Sequence, residues 1–315
     1  MKKQLTYPVT HDMDGNKIEE FLRSRGYSKH LIIQLKLSPD GITIGGEKVY
    51  VTHVLKEGEI LTIRLNETDT SENIVPTQMP LDIVYEDENL LLLNKRPGLV
   101  VHADETEKVN TLINHIQAYL YQKREWNPRW ENAFTPALCN RIDRNTGGIV
   151  IAAKTAEALR VMNQKIKDRE LDKRYLAIVE GTPKPKEGSL KGYLFKDAVK
   201  NRVFVTDTPK PGAKTCQTNY KVLDSRNGLS LVECELITGR THQIRAQFAH
   251  AGHPLLGDGK YGKLDKRFDR TYQALYSYKL TFLFTTDAGS LSNLNGKSFQ
   301  VEKVDFVEEY FPAKK

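Results

Sequence analysis

Residues 140 to 155 read Asn-Arg-Ile-Asp-Arg-Asn-Thr-Gly-Gly-Ile-Val-Ile-Ala-Ala-Lys-Thr. Asp143 is a carboxylate flanked by two guanidiniums, Arg141 and Arg144. Cationic neighbours favour the ionised, nucleophilic form of a carboxylate. On an extended segment, alternation places Arg141 and Asp143 on one side. A small-residue turn, Thr146 to Gly148, then leads into the continuous apolar run Ile149 to Ala153. Taken alone, the segment fits a reactive centre or a charged loop before a strand.

A second stretch, residues 238 to 262, reads Thr-Gly-Arg-Thr-His-Gln-Ile-Arg-Ala-Gln-Phe-Ala-His-Ala-Gly-His-Pro-Leu-Leu-Gly-Asp-Gly-Lys-Tyr-Gly. Its histidines His242, His250 and His253 have no cysteine or carboxylate at ligand spacing, so no metal site is expected. The Gly252-His253-Pro254 step is explained by a turn. Gly257-Asp258-Gly259-Lys260 is too poor for a phosphate loop and reads as a tight turn, with Asp258 structural.

Together the two stretches resemble the RluA-type RNA pseudouridine synthases. That family carries a string close to H-R-L-D-x-x-T-S-G, then T-G-R-x-H-Q-I-R and G-H-P-I-x-G-D-x-x-Y-G. An upstream segment resembles the family's Tyr-Glu-Asp to Asn-Lys-Pro string. Here it runs from Tyr85-Glu86-Asp87 to Asn94-Lys95-Arg96-Pro97-Gly98, with Arg96 between the usual lysine and proline. The resemblance implies isomerisation of uridine to pseudouridine: uracil leaves C1′ of its ribose, rotates, and rejoins through C5. Such a reaction needs a carboxylate near C1′ and C2′ and a base drawn out of its stack, at a cost of about a few kcal/mol.

The resemblance assigns Asp143 as the catalytic carboxylate. Arg141 resembles the arginine that enters the RNA helix where the base leaves; a planar guanidinium stacks and hydrogen-bonds at once. Tyr175, with Lys173 two residues before it, resembles the active-site tyrosine of a K-x-Y motif, whose ring can stack on the extruded base. Arg240 resembles the arginine that pairs with the catalytic aspartate, a bidentate contact that would fix the carboxylate. Arg144, Lys173 and His242 are expected to face RNA, and Ile244 to pack beside the uracil. The chain departs from the family at Asn140, where histidine is usual, at Gly147, where serine is usual, and at Leu275-Tyr276-Ser277, where Leu-His-Ala is common.

The elements that must position these residues divide in two. Residues 1 to 66 read as a small α+β unit. One helix spans Lys17 to Arg25 and ends at Gly26; a second, capped by Ser28, carries Leu31, Ile32 and Leu35. Short strands follow around Gly45-Gly46, and Ile60 to Leu65 alternates as a half-buried strand does. This order resembles the S4 RNA-binding domain. Residues 67 to 80, polar and closed by Pro76 and Pro80, read as a linker. Residues 81 to 315 form the catalytic unit, expected to be α+β with a mixed, largely antiparallel sheet flanked by helices. A helix from Thr111 to Gln122 is capped near Asn110. Strands run Tyr175 to Glu180, Thr218 to Leu223, Leu229 to Ile237, Tyr278 to Phe284 and Phe299 to Val304. Residues 183 to 214 read as a hairpin with a basic surface.

Composition sets the frame. Net charge is +7 in 315 residues, with a pI near 9.0, a modest bias towards a polyanionic partner. No apolar run is long enough to span a membrane, and the N-terminus lacks a signal core, so the cytoplasm is expected. Cys139, Cys216 and Cys234 have no metal spacing and fit reduced thiols. Isomerisation balances its own atoms, so no cofactor is expected. The expected partner is RNA, ribosomal or transfer, with no membrane and no obligatory protein partner. Two rival readings remain: a non-catalytic RNA-binding protein on the same fold, against which Asp143, Tyr175 and Arg240 argue, and a hydrolase using Asp143 and His242, which lacks a second carboxylate.

Overall fold

The computed structural model describes residues 2–25, 27, 29–66, 80–104, 106–107, 110–128, 134–197 and 202–312. Gly26, Ser28 and nearly all of the linker, residues 67–79, lie outside the described residues. The N-terminal unit comprises β1 (Lys2–Pro8), α1 (Ile18–Ser24), α2 (Lys29–Leu37), β2 (Ile42–Ile44), β3 (Glu47–Lys48) and β4 (Ile60–Asn66). Its sheet has the order β1-β4-β2-β3, entirely antiparallel. Strand β1 had no sequence expectation; it pairs with β4 along its whole length. Leu61 and Ile63 of β4 and Ile18, Phe21 and Leu22 of α1 meet in a core of their own.

The second unit runs β5 (Ile83–Glu86), β6 (Leu90–Lys95), α3 (Leu112–Gln122), β7 (Ala137–Leu138), β8 (Gly147–Ala153), α4 (Ala156–Lys167) and β9 (Leu171–Glu180). It continues with β10 (Glu187–Asp197), β11 (Arg202–Thr206), β12 (Lys214–Arg226), β13 (Leu229–Leu236), α5 (Gln243–His250), β14 (Leu275–Phe282), β15 (Ser298–Gln300) and α6 (Asp305–Tyr310). Among the described residues the sheet path is β11-β10-β12-β13-β9-β14-β8-β6-β5, with β7 on β8 and β15 on β14. Every pairing is antiparallel except β14 with β8. This is the mixed, largely antiparallel α+β sheet expected from the sequence.

The apolar run of β8 is explained by burial on both faces. Val150 and Ala152 join one core with Leu91 and Leu93 of β6, Leu112 and Ile116 of α3, and Ile244 and Phe248 of α5. Ile149, Ile151 and Ala153 join another with Leu90, Leu92 and Met162 of α4. A strand covered on both sides has no polar face to show. Two expectations shift. The cap of α3 is Thr111, whose hydroxyl accepts from the Asn114 N–H at 3.4 Å, not Asn110. The strand expected at Phe299 to Val304 shrinks to Ser298–Gln300, and α6 follows it. All three cysteines are free thiols.

Candidate active site

Asp143 sits in the loop between β7 and β8, next to the single parallel step of the sheet. That loop is fastened on both sides. Cys139 N–H donates to the Ile151 carbonyl at 2.8 Å, and the Asn140 Oδ1 accepts from the Ile151 N–H at 2.8 Å. The departure at Asn140 therefore extends the ladder onto β8. Thr146 N–H closes a turn onto the Asp143 carbonyl at 3.0 Å. The Arg144 carbonyl accepts from Gly98 N–H at 2.9 Å and from Lys95 Nζ at 2.8 Å. Lys95 Nζ also donates to the carbonyls of Arg96 and Leu99, at 3.0 and 2.9 Å. Burial pushes this amine down to about 7, with Asp143 opposing the shift. Three carbonyl acceptors match the three N–H groups of an ammonium, so we read it as charged at neutral pH. The segment around Lys95 thus pins the loop that carries Asp143.

Alternation holds from Arg141 to Asp143. Ile142 is buried in the core, Arg141 is exposed, and the Asp143 side chain keeps 25% of its surface open. Arg144 is exposed and pairs with Asp104 at 2.8 Å.

The guanidinium on Asp143 belongs to Arg245, not Arg240. Arg245 Nη1 donates to Asp143 Oδ2 at 2.7 Å. Its other edge forks onto Asp258, Nε to Oδ2 at 2.6 Å and Nη2 to Oδ1 at 2.9 Å. Arg240 is exposed, and among the described residues its side chain hydrogen-bonds only the Thr215 carbonyl, at 3.4 Å. The reason is where α5 begins. His242 caps it in the left-handed region, φ 53° and ψ 21°, so the helix starts at Gln243 and Arg240 is left in the preceding loop. His242 and Arg245, three apart, then share one face. A non-glycine residue held there costs about 1–3 kcal/mol, and such strain concentrates at functional sites. Buried glutamines hold the helix on β12: Gln243 Nε2 donates to the Gln217 carbonyl and to Thr218 Oγ1, and Thr218 Oγ1 donates to Gln247. The Asp258 turn is structural, as expected, but its carboxylate is buried and orients Arg245.

His242 Nε2 lies 3.7 Å from the same Asp143 Oδ2. Its Nδ1 is 2.8 Å from the Tyr261 hydroxyl, which accepts the Val203 N–H at 3.1 Å. Burial lowers the His242 pKa, with Arg245 and Lys260 acting in the same direction and Asp143 against it. A neutral ring taking the tyrosine proton on Nδ1 carries its own on Nε2, facing Asp143. Asp143 Oδ1 makes no hydrogen bond to a described residue.

Tyr175 is buried in the same core cluster as Ile142 and Ile244. Burial and the nearby Asp143 charge push its hydroxyl up to about 12, with a Ser277 hydrogen bond opposing them, so it stays protonated. Lys173 shares the Tyr175 face of β9 by alternation, and burial lowers its pKa. The structure therefore gathers Asp143, Tyr175, His242 and Ile244, with Arg141, Arg144 and Lys173 around them. It adds Arg245 and leaves Arg240 aside.

The departures at Gly147 and Tyr276 face each other across the parallel step. A Cβ on Gly147 would lie 2.4 Å from Tyr276 Cε2. Tyr276 donates its hydroxyl to Asn94 Oδ1 at 2.6 Å. Gly148, at φ 108°, would bring a Cβ within 2.1 Å of the Ser277 carbonyl oxygen, so glycine is required there. Gly147→Ser is expected to cost about 1–3 kcal/mol by overpacking. Tyr276→His in the same chain should return part of that loss, a coupling of at least about 0.5 kcal/mol in a urea-denaturation cycle. Strict additivity would mean that the two positions do not compensate.

The family model described as RNA pseudouridylate synthase matches residues 89–250. The chain is 33% identical over 277 residues to the uncharacterized RNA pseudouridine synthase YhcT of Bacillus subtilis, covering 86% of each protein. It is 33% identical over 232 residues to the ribosomal large subunit pseudouridine synthase D of Borreliella burgdorferi, covering 72% of this chain and 68% of that one. The solved structure of human RNA pseudouridylate synthase domain containing 4 superposes with a TM-score of 0.55. It is 20% identical and covers 71% of this chain and 89% of that one, a likeness of fold. The chain belongs to the RNA pseudouridine synthase family, within its RluA-type branch, and is an isomerase that forms pseudouridine in RNA. Among the described residues no helix is long and apolar enough to cross a membrane.

Proposed function

We propose that Asp143 is the catalytic carboxylate and that the target is a uridine in structured ribosomal RNA. The observation that carries the reading is the fixed geometry of one carboxylate oxygen. Oδ2 is held by Arg245 and faced by His242, which leaves Oδ1 as the oxygen free to act at C1′ or C2′ of the ribose. Tyr175, Ile142 and Ile244 supply the apolar floor for the extruded base, and the protonated Tyr175 hydroxyl can donate to it. Arg141 fills the stack that the base leaves, a role its exposure two residues before Asp143 supports. Arg144, Lys173 and His242 complete the RNA-facing rim. The ribosomal assignment follows the names of the large-subunit relatives. No step of the isomerisation needs a cofactor. The test is a map of pseudouridine in total RNA from cells with and without this protein. Sites lost on deletion, restored by the wild type and absent from transfer RNA would support the reading; an unchanged map would overturn it.

The N-terminal unit, residues 1 to 66, joined by residues 67 to 80 to the catalytic unit of residues 81 to 315, is read as an S4-like RNA clamp. Its antiparallel sheet and paired helices have a separate core, which supports independent folding. Deleting it should weaken RNA binding and flatten the salt dependence of Kd, because each lost phosphate contact removes about 0.7–0.9 from the log–log slope. Fluorescence anisotropy of labelled RNA over a salt series measures this. An unchanged affinity and slope would make the unit a cap without RNA contact.

A further inference from the structure

Beside Asp143 and its partner Arg245 lie two further cations, Arg202 and Lys260, that the catalytic arrangement does not use. Tyr261 is their hub. The Arg202 guanidinium sits over its ring at 4.9 Å, and Arg245 approaches the same ring at 5.2 Å. Arg202 is the first residue of β11, the edge strand of the sheet, and its neighbour Val203 donates its backbone N–H to the Tyr261 hydroxyl. Val203 and Tyr261 share a small core with Ala246 of α5. The edge hairpin is therefore docked onto the helix that holds Asp143.

The charges here do not cancel locally. Arg245 is matched by Asp143 and Asp258. Arg202 and Lys260 have no carboxylate within ion-pair distance among the described residues, although Asp197 stands opposite Arg202 in the strand register. The Arg202 Nε is buried and has no hydrogen-bond acceptor among the described residues. Lys260 is half-buried, and burial, Arg245 and Arg202 lower its pKa while Asp143 and Asp258 oppose the shift. Three cations, Arg245, Arg202 and Lys260, share two carboxylates, Asp143 and Asp258, and the surplus positive charge raises the energy of the free protein, a cost that a bound anion removes. An unmet buried donor points the same way.

We propose that Arg202 and Lys260, grouped around Tyr261, form a subsite for a backbone phosphate of the RNA close to the target uridine. The proposal rests on the reading of Asp143 as the reacting group. The edge hairpin then has a defined role, since β11 brings a guanidinium, pre-oriented by stacking, to the rim of the site. Arginine suits the place because it can stack on Tyr261 and still offer its remaining N–H groups to phosphate oxygens.

The 315-residue chain is titrated with a fluorescein-labelled oligouridylate of about ten nucleotides, over about 50–200 mM KCl. Arg202→Gln and Lys260→Gln should each weaken binding roughly tenfold and lower the log–log salt slope by about 0.7. Arg202→Lys should keep the slope, and Lys297→Gln, at an exposed lysine on the β14–β15 connection, should match the wild type. Wild-type affinity and slope in both glutamine variants would overturn the proposal. Arg202 also packs on Tyr261 and Phe204, so its loss could disturb the hairpin; Lys260→Gln then decides alone, with thermal melting as the check on folding. Inorganic phosphate that displaces the oligonucleotide from the wild type at micromolar concentration would point to a free-anion site and overturn the backbone assignment. Turnover is read separately, as tritium released from large-subunit ribosomal RNA transcribed with C5-tritiated uridine. A wild type that releases none defeats the functional reading; a wild type that turns over with unmoved slopes in the variants defeats only the subsite.

Discussion

Asp143→Asn is expected to reduce pseudouridine formation below about one thousandth of the wild-type rate, while RNA affinity stays within about tenfold. The amide keeps the shape of the carboxylate and can still accept from Arg245, so the loop should fold. It lacks the negative charge that the proposed role requires at the ribose. Formation of the new bond at C5 releases the C5 hydrogen, so single-turnover tritium release reads the reaction directly. Turnover near the wild-type rate would remove Asp143 from the chemistry, and loss of RNA binding in parallel would show that the carboxylate holds the fold of the site.

Arg245 should be nearly as sensitive, through two effects that separate. Arg245→Ala leaves Asp258 buried without its partner, at about 3–5 kcal/mol in stability, and frees Asp143 from its orienting contact. Arg245→Lys keeps a charge but not a fork that spans two carboxylates, and should recover only part of either loss. Asp258→Asn leaves Arg245 in place with one neutral anchor, so its rate should fall by less than that of Arg245→Ala. Arg240→Ala should change the rate far less than Arg245→Ala. The expected ordering of single-turnover rates is wild type, Asp258→Asn, Arg245→Lys, Arg245→Ala. A larger loss at Arg240 than at Arg245 would contradict the ion pair in the structure.

The exchange of Arg240 for Arg245 shows where sequence reading runs out. The string Thr-Gly-Arg-Thr-His-Gln-Ile-Arg offers three cationic or titratable side chains within six positions. Which one meets Asp143 depends on the residue at which the helix starts, and a left-handed histidine at the cap sets that start. The three-residue spacing from His242 to Arg245 is visible in the sequence, but only the helix boundary gives it meaning. Asp258 is hidden for the same reason: a turn aspartate looks alike whether it binds its own backbone or a distant guanidinium. The loop that carries Asp143 is legible because its parts are adjacent in the chain. Arg141, Asp143 and the buried run of β8 follow from alternation and two-sided burial, which are local rules. Cross-strand matters such as β1 on β4, or Gly147 against Tyr276, depend on register between segments far apart.

That last contact constrains how this chain could have arisen from one carrying serine and histidine at the two positions. A tyrosine placed at 276 first would meet a side chain at 147 head-on. A glycine placed at 147 first would leave only a small gap beside a smaller ring. The order with glycine first avoids the clash and the order with tyrosine first incurs it, so the space between two strands makes the two exchanges depend on their sequence.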